Sequence, residues 1–160
     1  MLPKEVTSWI GKSGSGITFY VERGAVERYA DAVGETNPLY WNDEFAKKSR
    51  YGSVIAPPGF FGLSSPFQRE SDPSRKPISW VSIGETLSKV GYGRVVNGGM
   101  ELEFFTPAHP GDVLQTSSVV KDIVEREGRS GKMVLVTIET TYVNHKGEMV
   151  AKQRHTTIHR

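Results

Sequence analysis

The stretch Tyr29-Ala-Asp-Ala-Val-Gly34-Glu35-Thr36-Asn37-Pro38-Leu39-Tyr40-Trp41 joins a helix to a tight turn. Val26, Tyr29, Ala30 and Val33 recur at helical spacing, which predicts a helix over Ala25–Val33. Gly34 ends it, because glycine takes the left-handed conformation after a helix without steric cost. Asn37-Pro38 reads as a turn that serves mainly as scaffold: Asn side chains bond to nearby backbone, and Pro fixes its own φ. Glu35 and Tyr40 flank that turn with a carboxylate and a phenol. Just downstream, Asn42 caps a short helical turn over Asp43–Lys48. Asp43 and Glu44 stand at its positive end, and Lys47 and Lys48 at its negative end.

Outward from this stretch the chain changes character. Residues 1–16 are an N-terminal segment whose Gly11-Lys-Ser-Gly-Ser-Gly16 run predicts a loop before a strand, Ile17–Val21. After the turn comes Val54-Ile-Ala-Pro-Pro-Gly-Phe-Phe-Gly-Leu-Ser-Ser-Pro-Phe67. Pro57 and Pro58 suit a helix start, where N–H groups have no intrahelical partner. Phe60, Phe61, Leu63 and Phe67 predict an apolar segment through the core, stopped or kinked at Pro66. A polar, mobile loop is expected over 68–78.

The second half is mainly β. Strands are predicted over Met100–Phe105, Val113–Glu125, Met133–Asn144 and Met149–Arg160, with turns at Pro107–Asp112, Gly128–Gly131 and His145–Glu148. In the long strand, alternation puts Val113, Val119 and Ile123 on one face and Leu114, Val120 and Val124 on the other. In the next, Val134, Val136, Ile138 and Tyr142 share a face. Early helices followed by an antiparallel meander give an α+β class. The 160 residues suffice for one domain with a core.

Composition narrows the function classes. The formal charge of +2 is too small to suggest nucleic-acid binding, and no basic tail is present. No cysteine occurs, so disulfides, thiolate nucleophiles and cysteine zinc sites are excluded. Met1-Leu-Pro-Lys-Glu-Val lacks the apolar run of a secretion signal, and no stretch approaches a membrane span, so a cytoplasmic location is expected. His155 and His159 lie four apart on a predicted strand, roughly 13 Å, too far to share a metal ion. They read as exposed, and His109 as a solvated turn residue. Ser64-Ser65 lacks the context of a hydrolase elbow. The glycines of Gly91–Gly99 lack a dinucleotide pattern.

Gly34-Glu35-Thr36-Asn37-Pro38-Leu39-Tyr40 resembles the G-D-x-N-P-x-H motif of the MaoC-like (R)-specific enoyl-thioester hydratases. Three further segments carry the resemblance: Val54–Pro58, Asn97–Pro107 with Pro110-Gly-Asp112, and Thr140–Glu148. The resemblance implies a hot-dog fold, a curved antiparallel sheet wrapped around a central helix. It is closest to the N-terminal-type domain, which often lacks the Asp/His pair and partners a domain that has it.

Two departures bear on chemistry. Glu35 stands where the family has Asp, and Tyr40 where it has His. A tyrosine's ordinary pKa is about 10 against about 6.5 for histidine, so a phenol is a poor base at neutral pH. At the helix start, active relatives place His-Gly, whose glycine N–H faces the thioester oxygen. Here Pro57 and Pro58 match those positions, and proline has no N–H. Gly59 supplies one if the start shifts by a residue.

The resemblance implies a subunit of an acyl-thioester hydratase or dehydratase, converting 2-enoyl to 3-hydroxyacyl esters of coenzyme A or acyl carrier protein in fatty-acid metabolism. Glu35 and Tyr40 occupy the catalytic positions, whereas Asn37, Pro57, Pro58, Gly59 and Phe60 lie along the substrate. No cofactor or metal is expected. A homo- or heterodimer with another hot-dog domain is expected, with neither nucleic acid nor membrane as partner. The alternatives are a stand-alone homodimeric hydratase or thioesterase using Glu35, and a non-catalytic thioester-binding module.

Overall fold

The computed structural model describes residues 1–14, 16–63, 80–129 and 131–160. Expectations for the Leu63 side chain, Ser64-Ser65, Pro66, Phe67 and the 68–78 loop fall outside what is described.

Helix α1 (Lys4–Thr7) leads to a short strand β1 (Ser13–Gly14), β2 (Thr18–Tyr20) and helix α2 (Arg23–Ala32). A 3-10 turn (Pro38–Tyr40), α3 (Asp43–Lys47), a second 3-10 helix (Pro58–Leu63) and α4 (Trp80–Lys89) follow. Strands β3 (Val95–Phe104), β4 (Val113–Gly128), β5 (Gly131–Val143) and β6 (Met149–His159) complete one antiparallel sheet. Its order is β1-β4-β5-β6-β3, with β2 also pairing β4. The α+β class therefore holds. Among the described residues no helix is long and apolar enough to cross a membrane.

One face of the sheet carries the core. Val134, Val136, Ile138 and Tyr142 are all buried on β5, as alternation predicts. On β4 the predicted alternation fails. Leu114, Val120 and Ile123 are buried together while Val113 is exposed. The register shifts between Val120 and Asp122, so Lys121 is an extra residue that reverses which side chains face inward.

Two apolar clusters fill that face. One packs Val26 of α2 and the rings of Phe60 and Phe61 against Leu114, Tyr142 and Ala151. The other packs Val6, Ile83 and Leu87 against Val120, Val134, Val136 and Ile138. Ile83 and Leu87 belong to α4, which the sequence reading leaves unassigned. Each is fully buried, worth about 1.5–3 kcal/mol. The N-terminal segment is also more than a loop. Val6 is buried, Trp9 Nε1 donates to Thr86 Oγ1 at 3.3 Å, and β1 pairs with β4.

The opposite face carries paired charges. Arg154 Nε donates to Glu139 Oε2 at 2.8 Å, and Lys121 Nζ lies 3.4 Å from Glu139 Oε1. Strand β3 forms one end of the sheet and leaves Val95, Val96, Met100 and Phe104 exposed, with Phe105 just beyond it.

Candidate functional site

The loop 34–42 holds its shape through bonds between near neighbours. Glu35 N–H donates to Ala30 O at 2.9 Å, closing α2, and Gly34 takes a φ of 68°. Asn37 N–H donates to Glu35 Oε1 at 3.0 Å. Asn37 Oδ1 in turn accepts from Leu39 N–H at 3.0 Å and caps the 3-10 turn, with Pro38 at its first position. Asn42 Oδ1 accepts from Phe45 N–H at 3.0 Å and caps α3. Arg23 of α2 clamps the far end, donating to Trp41 O at 2.6 Å and Asp43 Oδ1 at 2.8 Å. That pairing holds the Asp43 carboxyl below its usual range.

Glu35 is half-buried, Asn37 is exposed, and Tyr40 is 9% exposed. The Tyr40 ring packs among Ala30, Leu39, Ala46, Val54 and Ile55, with Trp41 and Tyr51 alongside. Burial pushes its phenol pKa up, the negative charge of Glu35 pushes the same way, and Tyr51 adds to it. The phenol therefore stays protonated well past neutral pH: it can donate a hydrogen bond or a proton but cannot act as a base there. Among the described residues the hydroxyl has no hydrogen-bond partner. Tyr51 is steadied by Arg50, whose guanidinium lies 4.7 Å from the ring centre.

From the Tyr40 cluster the chain runs directly to the second half of the site. Val54 and Ile55 pack beside Tyr40, and Ala56 N–H donates to Ala108 O at 2.8 Å. Pro57 is buried, Pro58 is exposed and starts the second 3-10 helix, and Gly59 is half-buried. A Cβ on Gly59 would overlap Tyr29 Oη, so any larger residue there requires the Tyr29 side chain of α2 to move. Among the described residues no backbone carbonyl accepts from the Gly59 amide. Phe60 is buried edge-on against Phe19 at 5.7 Å and Tyr29 at 6.1 Å.

The structure thus sets Glu35 within electrostatic reach of Tyr40, and joins Pro57–Phe60 to α2 through Tyr29. Two histidines differ from their expected places. His109 is half-buried, its Nδ1 2.8 Å from Ser53 Oγ and 3.0 Å from Val54 O. An Nδ1–H donated to Val54 O fixes the tautomer and ties the 107–112 turn to the segment beside Tyr40. Sequence reasoning missed this clamp because its partners are more than fifty residues apart. His159 is 2% exposed rather than solvent-facing, bonded to Thr157 Oγ1 at 3.0 Å and lying under Gly84 of α4. Burial lowers its pKa.

The chain is similar to known proteins. The family described as FAS1-like, dehydratase domain region, matches residues 8–153. A UPF0336 protein of Streptomyces avermitilis is 31% identical over 126 residues, 76% of this chain and 75% of that protein. A probable enoyl-CoA hydratase alpha subunit of Thermomonospora curvata is 27% identical over 132 residues, 81% of this chain but 41% of that longer protein. Among solved structures, the ChsH1–ChsH2 complex from Mycobacterium tuberculosis contains a chain similar at TM-score 0.79 and 17% identity, covering 97% of this chain and 93% of that one. A MaoC-like dehydratase from Rhodospirillum rubrum is similar at TM-score 0.62 and 18% identity, covering 94% and 91%. At these identities the structural likenesses carry the fold, a MaoC-like hot-dog.

Proposed function

Because the chain belongs to the FAS1-like dehydratase family, we propose that it is one subunit of an acyl-thioester hydratase or dehydratase. A partner hot-dog domain bearing the Asp/His pair completes the active site. The reaction adds water at C3 of a 2-enoyl thioester and a proton at C2, or reverses this, and calls for no cofactor. The substrate is an ester of coenzyme A or acyl carrier protein.

The observation that carries this reading is the state of Tyr40. A base must take a proton from water near neutral pH, and a buried phenol whose pKa is raised by burial, Glu35 and Tyr51 does the opposite. Glu35 also spends one carboxylate oxygen on the Asn37 amide. The pair then serves to hold the loop, with Asn37 as its scaffold. The entrance has a different part. Pro57 and Pro58 offer no N–H, so with the helix entrance shifted by one residue the Gly59 amide serves as the donor to the thioester oxygen, and Phe60 anchors the backbone behind it.

A second subunit is supported by the open edge. Among the described residues strand β3 ends the sheet, with Val95, Met100 and Phe104 exposed, and an edge of this length without a neighbour there invites another strand. The match to an "alpha subunit" and to a chain of a two-component complex agrees with that reading.

Co-expression with a hot-dog chain carrying an intact G-D-x-N-P-x-H motif tests it, read by co-purification and sedimentation. A stable complex that hydrates 2-enoyl-CoA is expected. A chain that sediments as a monomer in both conditions contradicts it. Turnover by the chain alone favours the stand-alone enzyme using Glu35 and Tyr40 in altered roles.

A further inference from the structure

We propose that the acyl group presented to this subunit is short, because among the described residues an aromatic cluster fills the space between the second 3-10 helix and the sheet; the inference rests on the thioester reading above. Phe60 and Phe61 follow Gly59 directly, so the obstruction begins about 3.8 Å along the backbone from the amide assigned to the thioester oxygen. Phe61 is 2% exposed and touches four rings. Its centre lies 6.0 Å from Phe19, 6.1 Å from Phe60, 6.0 Å from Phe104 and 5.3 Å from Tyr142. Phe60 and Tyr142 meet it edge to face, Phe19 stacks on it and Phe104 is tilted against it, so rings close on it from four sides and leave little room for an alkyl chain.

The cluster is also pinned. Tyr142 Oη lies 2.7 Å from Gln153 Oε1 and 3.3 Å from Phe61 O, a hydroxyl held between two acceptors. Gln153 Nε2 approaches Met100 Sδ at 3.3 Å. The Phe61 backbone and the Tyr142 ring packed on its side chain are thus both tied to a buried polar network.

A second feature, reaching the first through Gln153, points the same way. Beyond the rings, the inner face of the sheet is crossed by a polar row: Ser118 Oγ bonds Thr140 Oγ1 at 2.8 Å, and Thr140 pairs across the strands with Gln153. This row separates the two apolar clusters. A long alkyl chain that displaced the rings would next meet hydroxyls and an amide, whereas a short acyl group stops before either.

Titration calorimetry with butyrate, octanoate and dodecanoate tests closure without a thioester. Wild type, Phe61→Ala and Phe61→Leu are compared after each shows a cooperative melt; the leucine variant carries the comparison if the alanine variant does not fold. Wild type is expected to show no saturable binding of any chain. The variants are expected to bind dodecanoate at least about tenfold more tightly than wild type, because truncated apolar cores take up apolar ligands. Wild-type binding that strengthens by about fourfold per methylene overturns the proposal. So does a folded variant that gains nothing. A parallel arm with crotonyl-CoA and dodecenoyl-CoA separates the two readings: no affinity for either ester speaks against the thioester assignment and leaves the fatty-acid result standing.

Discussion

The loop 34–42 and the helix start 57–61 are linked by Val54 and Ile55, which pack beside Tyr40, and are built in opposite ways. The loop's bonds run mostly between residues two to five apart, from Glu35 to Ala30, Asn37 to Glu35 and Leu39 to Asn37. The helix start is set by residues far along the chain: Tyr29 above Gly59, Ala108 on Ala56, and Phe19, Phe104 and Tyr142 around Phe61. A locally built loop takes its shape from bonds between near neighbours, and losing one of them leaves the others in place. A long-range assembly keeps its shape only while all its parts remain.

That contrast predicts unequal costs. Gly59→Ala has the largest expected effect, a loss of about 1–3 kcal/mol, because the new methyl overlaps Tyr29 Oη beneath a packed helix. Denaturant unfolding measures it, and Gly59→Ala combined with Tyr29→Phe is expected to recover part of the loss. Asn37→Ala comes next at ~1 kcal/mol, the cost of one cap. If the loop proves the more costly of the two, the comparison fails.

The same contrast explains what was legible in the sequence. Asn37, Asn42 and Gly34 act on neighbours, so their caps and turn could be read directly. The face of Ile123 could not, since one extra residue at Lys121 reverses the alternation without any mark in composition. Helix α4 carries its signal at Ile83 and Leu87, four apart, but Gly84 between them weakens a helical reading. Gly84 lies close under His159, a contact across seventy-five residues that no local pattern reveals. Whether Glu35 and Tyr40 face a substrate depends on such distant packing.

The smallest expected effect is in ionisation. Burial favours the neutral Tyr40 phenol, so its folded pKa lies above the unfolded value near 10. Its contribution to stability is fully present below that unfolded value and is lost as pH rises through the folded one. Ultraviolet titration is expected to show an alkaline step that Tyr40→Phe removes and Glu35→Gln moves toward lower pH. A step unmoved by Glu35→Gln would mean the loop does not couple the two side chains.

Hydration of crotonyl-CoA by the purified chain tests the central claim, that this half lacks a working base. Wild type, Glu35→Gln and Tyr40→Phe are expected to be equally close to the uncatalysed rate, with turnover appearing once an Asp/His-bearing partner is added. Robust turnover by wild type alone, abolished in Glu35→Gln, would contradict it.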